Sequence, residues 1–325
     1  MCRGRHNSRK MKKIRAAVVG VGYLGRFHAQ KYAGLEGCEL VGVVDARPEA
    51  RDKVAAELNT QSLADYRELI GRVEAVSVAT ITPAHFPIAR DLLAAGIHVL
   101  VEKPITETPE QARELIEVAK AKGCVLQVGH LERFNPTILA AEPYLSLPKF
   151  IECHRLAPFK ERGTDVNVVL DLMIHDIDIV QTIVGAPIAS IDAIGTKVFS
   201  DEIDIANARI RFENGCVANA TASRVSFKTE RKLRVFVDDA YLSLDLQQKI
   251  LTVIRKRDNV PPGQLPATIE EQNFDQGDAL KAEIESFLDC IRTGKPPIVG
   301  GEAGMRALET AMRITEQVQR GSEGR

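Results

Sequence analysis

The chain has no tryptophan, only five tyrosines and six cysteines in 325 residues. The cysteines (Cys2, Cys38, Cys124, Cys153, Cys216 and Cys290) form no C-x-x-C pair. That excludes a zinc ribbon, a dithiol redox motif and a disulfide scaffold, and it fits a reducing compartment. Excess charge is also missing. Lys and Arg number 43 against 44 Asp and Glu, a net charge of −1, so no global field gathers nucleic acid or an anionic membrane. No apolar run reaches transmembrane length, and the N-terminus lacks the apolar core of a secretory signal. A cytoplasmic protein with a small-molecule partner is therefore expected, without nucleic acid or membrane. The local exception is residues 1–13, a basic stretch with no acid before Glu36, which reads as a solvated tail ahead of the apolar run at Ile14.

What is present begins with Val18-Val19-Gly20-Val21-Gly22-Tyr23-Leu24-Gly25. An apolar strand runs into glycines that permit a tight turn, and a helix starting near Leu24 points its N–H groups at a pyrophosphate. About twenty residues on, Val43-Val44-Asp45 supplies a strand-end carboxylate that accepts hydrogen bonds from the adenosine ribose and repels a 2′-phosphate, so NAD is expected over NADP. Arg47, two residues further, offers a guanidinium that partly offsets this preference.

The length predicts two domains. Over 14–130, strands at 14–19, 39–45, 75–79, 98–102 and 125–129 alternate with helices near 24–33, 48–58, 86–95 and 109–122. This is the pattern of a doubly wound parallel Rossmann sheet. Over 131–325, one long helix at 168–184 is followed by alternating segments at 188–199, 206–212, 216–223, 233–237, 241–246 and 250–254, with helices at 278–293 and 302–319. That predicts an α+β domain with a largely antiparallel sheet, for substrate binding and oligomerisation. The stretch 260–273 reads as an exposed loop. The fold class is thus α/β in the first part and α+β in the second.

Two places carry chemistry. Strand 98–102 runs into Glu102-Lys103-Pro104, at the carboxyl end of a parallel strand, where open α/β sheets hold their ligands. Pro104 biases Lys103 toward an extended backbone, so its ammonium can polarise a substrate oxygen while Glu102 holds the nicotinamide ribose; a surface ion pair is the plainer alternative. In the apolar helix, Asp171, His175 and Asp178 fall at spacings of four and three, on one face. A buried imidazole beside a carboxylate suits a general base. Metal ligation and a self-satisfied polar core compete with that reading, but the ligand spacing of established metal sites is missing and no metal is expected. Asp176 points elsewhere. Thr80, Thr82 and His85 follow the third strand and border the cofactor, His85 also as a helix cap. Arg133 and Asn135 at the domain junction, and Arg155, Lys160, Arg162 and Asp165 before the long helix, supply donors for substrate hydroxyls or phosphates.

With G-x-G-x-x-G at Gly20–Gly25, Glu102-Lys103-Pro104 and Asp171-x-x-x-His175-x-x-Asp178 in order, the chain resembles the Gfo/Idh/MocA oxidoreductases from Lys13 onward. The resemblance implies that Lys103 and His175, the latter oriented by Asp171, flank a sugar or cyclitol hydroxyl. Family members commonly carry glycine where this chain has Met173. The strings Gly129-His130-Leu131-Glu132-Arg133-Phe134-Asn135-Pro136 and Asp171-Leu172-Met173-Ile174-His175-Asp176 are similar to the branch that oxidises C3 of UDP-N-acetylglucosamine in lipopolysaccharide or lipid A biosynthesis. They imply a 3-keto nucleotide sugar as product and a homodimer or homotetramer joined through an exposed sheet face. A dehydrogenase of a free sugar or inositol, and a non-catalytic NAD-sensing regulator, remain the alternatives.

Overall fold

The computed structural model describes residues 12–160, 166–274 and 277–323. The chain forms two compact units: one holds the residues up to Glu102, Glu114–Gln127 and Ile284–Pro297, the other Lys103–Arg113, Val128–Glu283 and the residues from Ile298 on.

The first unit is built on β1 (Ile14–Val19), α1 (Tyr23–Gly34), β2 (Cys38–Val44), α2 (Pro48–Leu58), β3 (Gln61–Leu63), β4 (Ala75–Val78), α3 (Thr82–Ala94), β5 (His98–Glu102), α4 (Pro109–Lys122) and β6 (Leu126–Gly129). The strands lie in the order β3-β2-β1-β4-β5-β6, with β1 parallel to β2 and β4, β2 to β3 and β4 to β5. This is the doubly wound dinucleotide-binding order. The strands are apolar runs because both faces of such a sheet are covered; Ala16, Ala17, Val18, Val76, Val78, Val99, Leu100 and Val101 are all fully buried. The short edge strand β3 and the start of α3 at Thr82, four residues before the expected start, are additions to the sequence reading.

The second unit continues with α5 (Pro136–Ala141), β7 (Phe150–Leu156), α6 (Ile174–Val184), β8 (Ile188–Thr196), β9 (Ile205–Phe212), β10 (Val217–Ser223), β11 (Glu230–Phe236), β12 (Ala240–Asp245), β13 (Ile250–Lys256), β14 (Ala267–Asn273), α7 (Ala279–Thr293) and α8 (Gly301–Glu323). Its eight-stranded sheet has the order β14-β13-β12-β11-β7-β10-β9-β8. Every pairing is antiparallel except that of β7 with β10. Alternation along the central strands, for example buried Ile151, Cys153 and Arg155 on β7, sends one face into a core shared with α6 and α8. Two expectations are corrected. Phe150–Leu156 is a central strand, and residues 267–273 of the expected loop form edge strand β14.

Candidate active site

In the first unit the glycine turn is set by close backbone contact. Gly20 has φ +85° and donates from its N–H to Val44 O at 2.7 Å. A Cβ on Gly25 would stand 1.8 Å from the Gly20 carbonyl oxygen, so only glycine lets α1 start over the strand ends. Gly22 caps α1 without any side-chain cap, no acid lies in its first turn, and a Cβ there would meet only the Arg47 guanidinium, at 3.7 Å. A positive, uncrowded helix start of this kind accepts a pyrophosphate. Tyr23 is exposed and its ring meets Phe27 edge-on; Leu24 is half-buried.

Asp45 follows β2 and is buried. It accepts from Val21 N at 2.9 Å, Arg47 N at 3.0 Å and Arg47 Nε at 3.1 Å. Burial pushes its carboxyl up, but these donors prevail and hold it below the usual carboxylate range. The residues present therefore fit a dinucleotide whose ribose hydroxyls compete with Arg47 for Asp45. Thr80 lies just before α3, and the His85 imidazole is within 3.2 Å of the Thr80 carbonyl at the start of that helix; Thr82 is the first residue of α3. Glu102 differs from expectation. Its carboxylate is buried against His28 Nε2 at 3.0 Å, in a chain that continues through His28 Nδ1, Ser77 and Tyr32.

Lys103, the next residue, opens the second unit, with a cis peptide to Pro104. Its ammonium donates to Asp171 O at 2.7 Å and to Asp171 Oδ1 at 3.2 Å. The two segments the sequence placed sixty-eight positions apart do meet. Asp171 sits in a π-helical turn, Val169–Met173, that leads into α6; such wide turns recur at functional sites. Asn167 caps the turn, its Oδ1 accepting from Val169 N and Leu170 N. The resemblance implied that Asp171 orients His175. Instead the carboxylate is committed to Lys103, and buried His175 Nδ1 has no hydrogen-bond partner among the described residues. The His130 ring meets that of His175 edge-on at 6.1 Å. Burial, then the positive charges of Lys103 and Arg155, hold His175 well below its ordinary pKa. It is a neutral imidazole at neutral pH, able to take a proton.

Four expected substrate contacts have other work. Arg155 is buried and held by Asp176 (Nε–Oδ2 3.0 Å, Nη2–Oδ1 2.7 Å) and Glu132 (Nη1–Oε1 2.9 Å), which commits three of its five N–H donors to these two carboxylates. Burial raises Glu132, yet Arg155 pulls it below the usual carboxylate range. Asn135 caps α5 through Thr137 N and donates to Glu132 and Leu246 O. Arg133 donates to Thr182 Oγ1 at 2.6 Å and lies 3.7 Å from the buried carboxylate of Asp178, so these two face each other. Lys160 is exposed; Arg162 and Asp165 lie outside the described residues. The Glu132–Arg155–Asp176 cluster was not read from the sequence, because its arginine lies 23 and 21 residues from its two acids and no local pattern joins them.

Residues 14–130 match the model of an oxidoreductase family described as an NAD-binding Rossmann fold, and residues 157–323 match its C-terminal alpha/beta domain. The chain belongs to the Gfo/Idh/MocA oxidoreductases. As in that family, it is an NAD-binding enzyme acting on a CH–OH group. UDP-N-acetylglucosamine 3-dehydrogenase from Acidithiobacillus ferrooxidans is 39% identical over 310 residues, 95% of this chain and 98% of that protein. A solved structure of that Gfo/Idh/MocA enzyme superposes with a TM-score of 0.90 at 38% identity, covering 95% of this chain and 99% of the other. The scyllo-inositol 2-dehydrogenase (NAD(+)) of Bacillus subtilis is 26% identical, covering 95% of each chain. Among the described residues no helix is long and apolar enough to cross a membrane.

Proposed function

We propose that the chain oxidises the C3 hydroxyl of UDP-N-acetylglucosamine to the 3-keto nucleotide sugar. The observation that carries the mechanism is the pairing of Lys103 with Asp171 one helical turn before His175, whose buried Nδ1 has no hydrogen-bond partner among the described residues. The identity to the Acidithiobacillus enzyme supports the substrate. Bound NAD supplies the hydride acceptor. Gly20, Gly22 and Gly25 shape the turn for its pyrophosphate, and Asp45 takes its ribose. His175 accepts the hydroxyl proton as the carbonyl forms. Lys103, held by the backbone carbonyl and Oδ1 of Asp171, donates to the substrate oxygen and stabilises its developing negative charge. Arg155 holds Asp176, the neighbour of His175, and so fixes the helix that carries the base.

The reading extends to a cytoplasmic homo-oligomer of two domains, 14–130 and 131–325, behind the basic segment 1–13. The mixed sheet supports assembly through a row of aromatic rings, in which Phe236 stacks on Tyr241 at 4.8 Å and lies tilted against Phe150 at 5.6 Å, a surface of the kind that marks an interface. The test is a screen for NADH formation with UDP-N-acetylglucosamine, other UDP-sugars and inositols. Turnover with UDP-N-acetylglucosamine, lost in His175→Ala while NAD still binds, is expected. Preferred turnover of an inositol would overturn the substrate, and NAD binding without turnover of any polyol would point to a regulator.

A further inference from the structure

β7, β8 and β10 run in the same direction, because β7 pairs parallel with β10 and β9 is antiparallel to both β8 and β10. Their carboxyl ends therefore share one edge of the sheet, and a phenylalanine follows each: Phe159, Phe199 and Phe227. Phe199 is 65% exposed and Phe227 fully exposed, while Phe159 meets Phe199 edge-on at 5.4 Å. This pair, with exposed Phe227 following the neighbouring strand at the same end of the sheet, is costly in water and marks a binding surface. Each is accompanied by an exposed lysine, Lys160, Lys197 or Lys228, the last also paired with Glu230, a partner an incoming diphosphate would have to displace.

This edge is tied to the start of the helix that bears Asp171 and His175. Buried Asp204 accepts from the backbone N–H groups of Val198 at 2.8 Å and Phe199 at 2.7 Å. Arg224 lies 3.4 Å from Asp204, donates to Ile203 O at 3.2 Å and also bonds Val166 O. Val168 N donates to Ile203 O at 2.9 Å, three residues before Asp171. The loop that carries Phe199 is thus hydrogen-bonded, through Asp204, Arg224 and Ile203, to the segment that leads into Asp171 and His175.

We propose that Phe159, Phe199 and Phe227, with Lys160, Lys197 and Lys228, form the subsite for the nucleoside diphosphate of a nucleotide-sugar substrate. The rings stack on the base and the lysines pair with the diphosphate, which presents charged oxygens where an inositol has none. The inference rests on the nucleotide-sugar reading above.

Because the chain lacks tryptophan, Phe227→Trp introduces a sole indole as reporter. With NAD-loaded enzyme, UDP should quench it saturably. Phe199→Ala should weaken UDP binding about tenfold, a stacking-sized loss, and raise KM for UDP-N-acetylglucosamine similarly with kcat within about threefold. Lys160→Glu should weaken UDP more than uridine. Turnover of UDP-N-acetylglucosamine with UDP affinity and KM unmoved by these changes would overturn the subsite and leave the function standing. UDP binding that responds to Phe199→Ala in an enzyme that oxidises no nucleotide sugar would do the reverse. Loss of assembly by light scattering in Phe199→Ala, with UDP affinity unchanged, would make the edge a contact between copies and overturn the proposal.

Discussion

Replacing Arg155 with methionine separates a structural from a substrate-binding guanidinium. The side chain is 4% exposed and makes three charge-assisted hydrogen bonds of 2.7–3.0 Å to Asp176 and Glu132. Methionine fills much of the volume but strips buried Asp176 of the guanidinium that holds it and leaves buried Glu132 with the more distant Arg231, at 3.4 Å. Removing one partner of a buried ion pair costs about 3–5 kcal/mol, because the remaining charge is stranded in a poorly polarisable interior. At roughly 2–4 °C per kcal/mol for a unit of this size, the unfolding midpoint falls by about 6–20 °C. Arg155→Lys keeps the charge and loses the bidentate fork, so it should fall between. The assay is differential scanning calorimetry of the full chain, with KM measured at a temperature where each variant is folded. A midpoint within about 2 °C of the parent, accompanied by a raised KM, would refute the reasoning and return Arg155 to the substrate.

His175→Gln should lower kcat by about 10²–10⁴, the usual contribution of a general base, with NAD affinity by calorimetry unchanged; equal loss of both would contradict the assignment. Because burial and nearby cations hold His175 below its ordinary pKa, the proton-accepting form persists as pH falls. The pH profile of kcat/KM should then lack an acid limb near 6.5, the free histidine value, and show one only at lower pH; an inflection at 6.5 would oppose it. Gly25→Ala forces a Cβ to 1.8 Å from a backbone oxygen, so NAD affinity should drop at least tenfold by calorimetry, and parental affinity would refute the turn geometry.

The parallel sheet was legible because buried strands are continuous apolar runs and its turns carry glycine, so β1, β5, α2 and α4 match their expected bounds. Other elements lacked that signal. In β7 the inward positions are Ile151, Cys153 and Arg155, and a buried arginine breaks the apolar alternation that announces a strand. In β14 all residues but Ala267 are exposed, so no alternation exists to be read. Within the site, the meeting of Lys103 with the Asp171 helix followed from motif placement, but its details did not. Helical spacing put Asp171 beside His175, whereas the π turn and the reach of a lysine from elsewhere commit that carboxylate to Lys103. Likewise Arg133, Asn135 and Arg155 looked like free donors because their acceptors, Thr182, Leu246 and Asp176, lie 21 to 111 residues away.

The most direct measurement of the central claim follows deuterium placed on C3 of UDP-N-acetylglucosamine during turnover with NAD. A hydroxyl held between Lys103 and His175 loses its proton to the imidazole and its carbon-bound hydrogen as hydride, so the label should appear in the reduced nicotinamide, and His175→Ala should abolish the transfer. Deuterium that stays in the sugar, or that washes into solvent while cofactor is reduced, would contradict it.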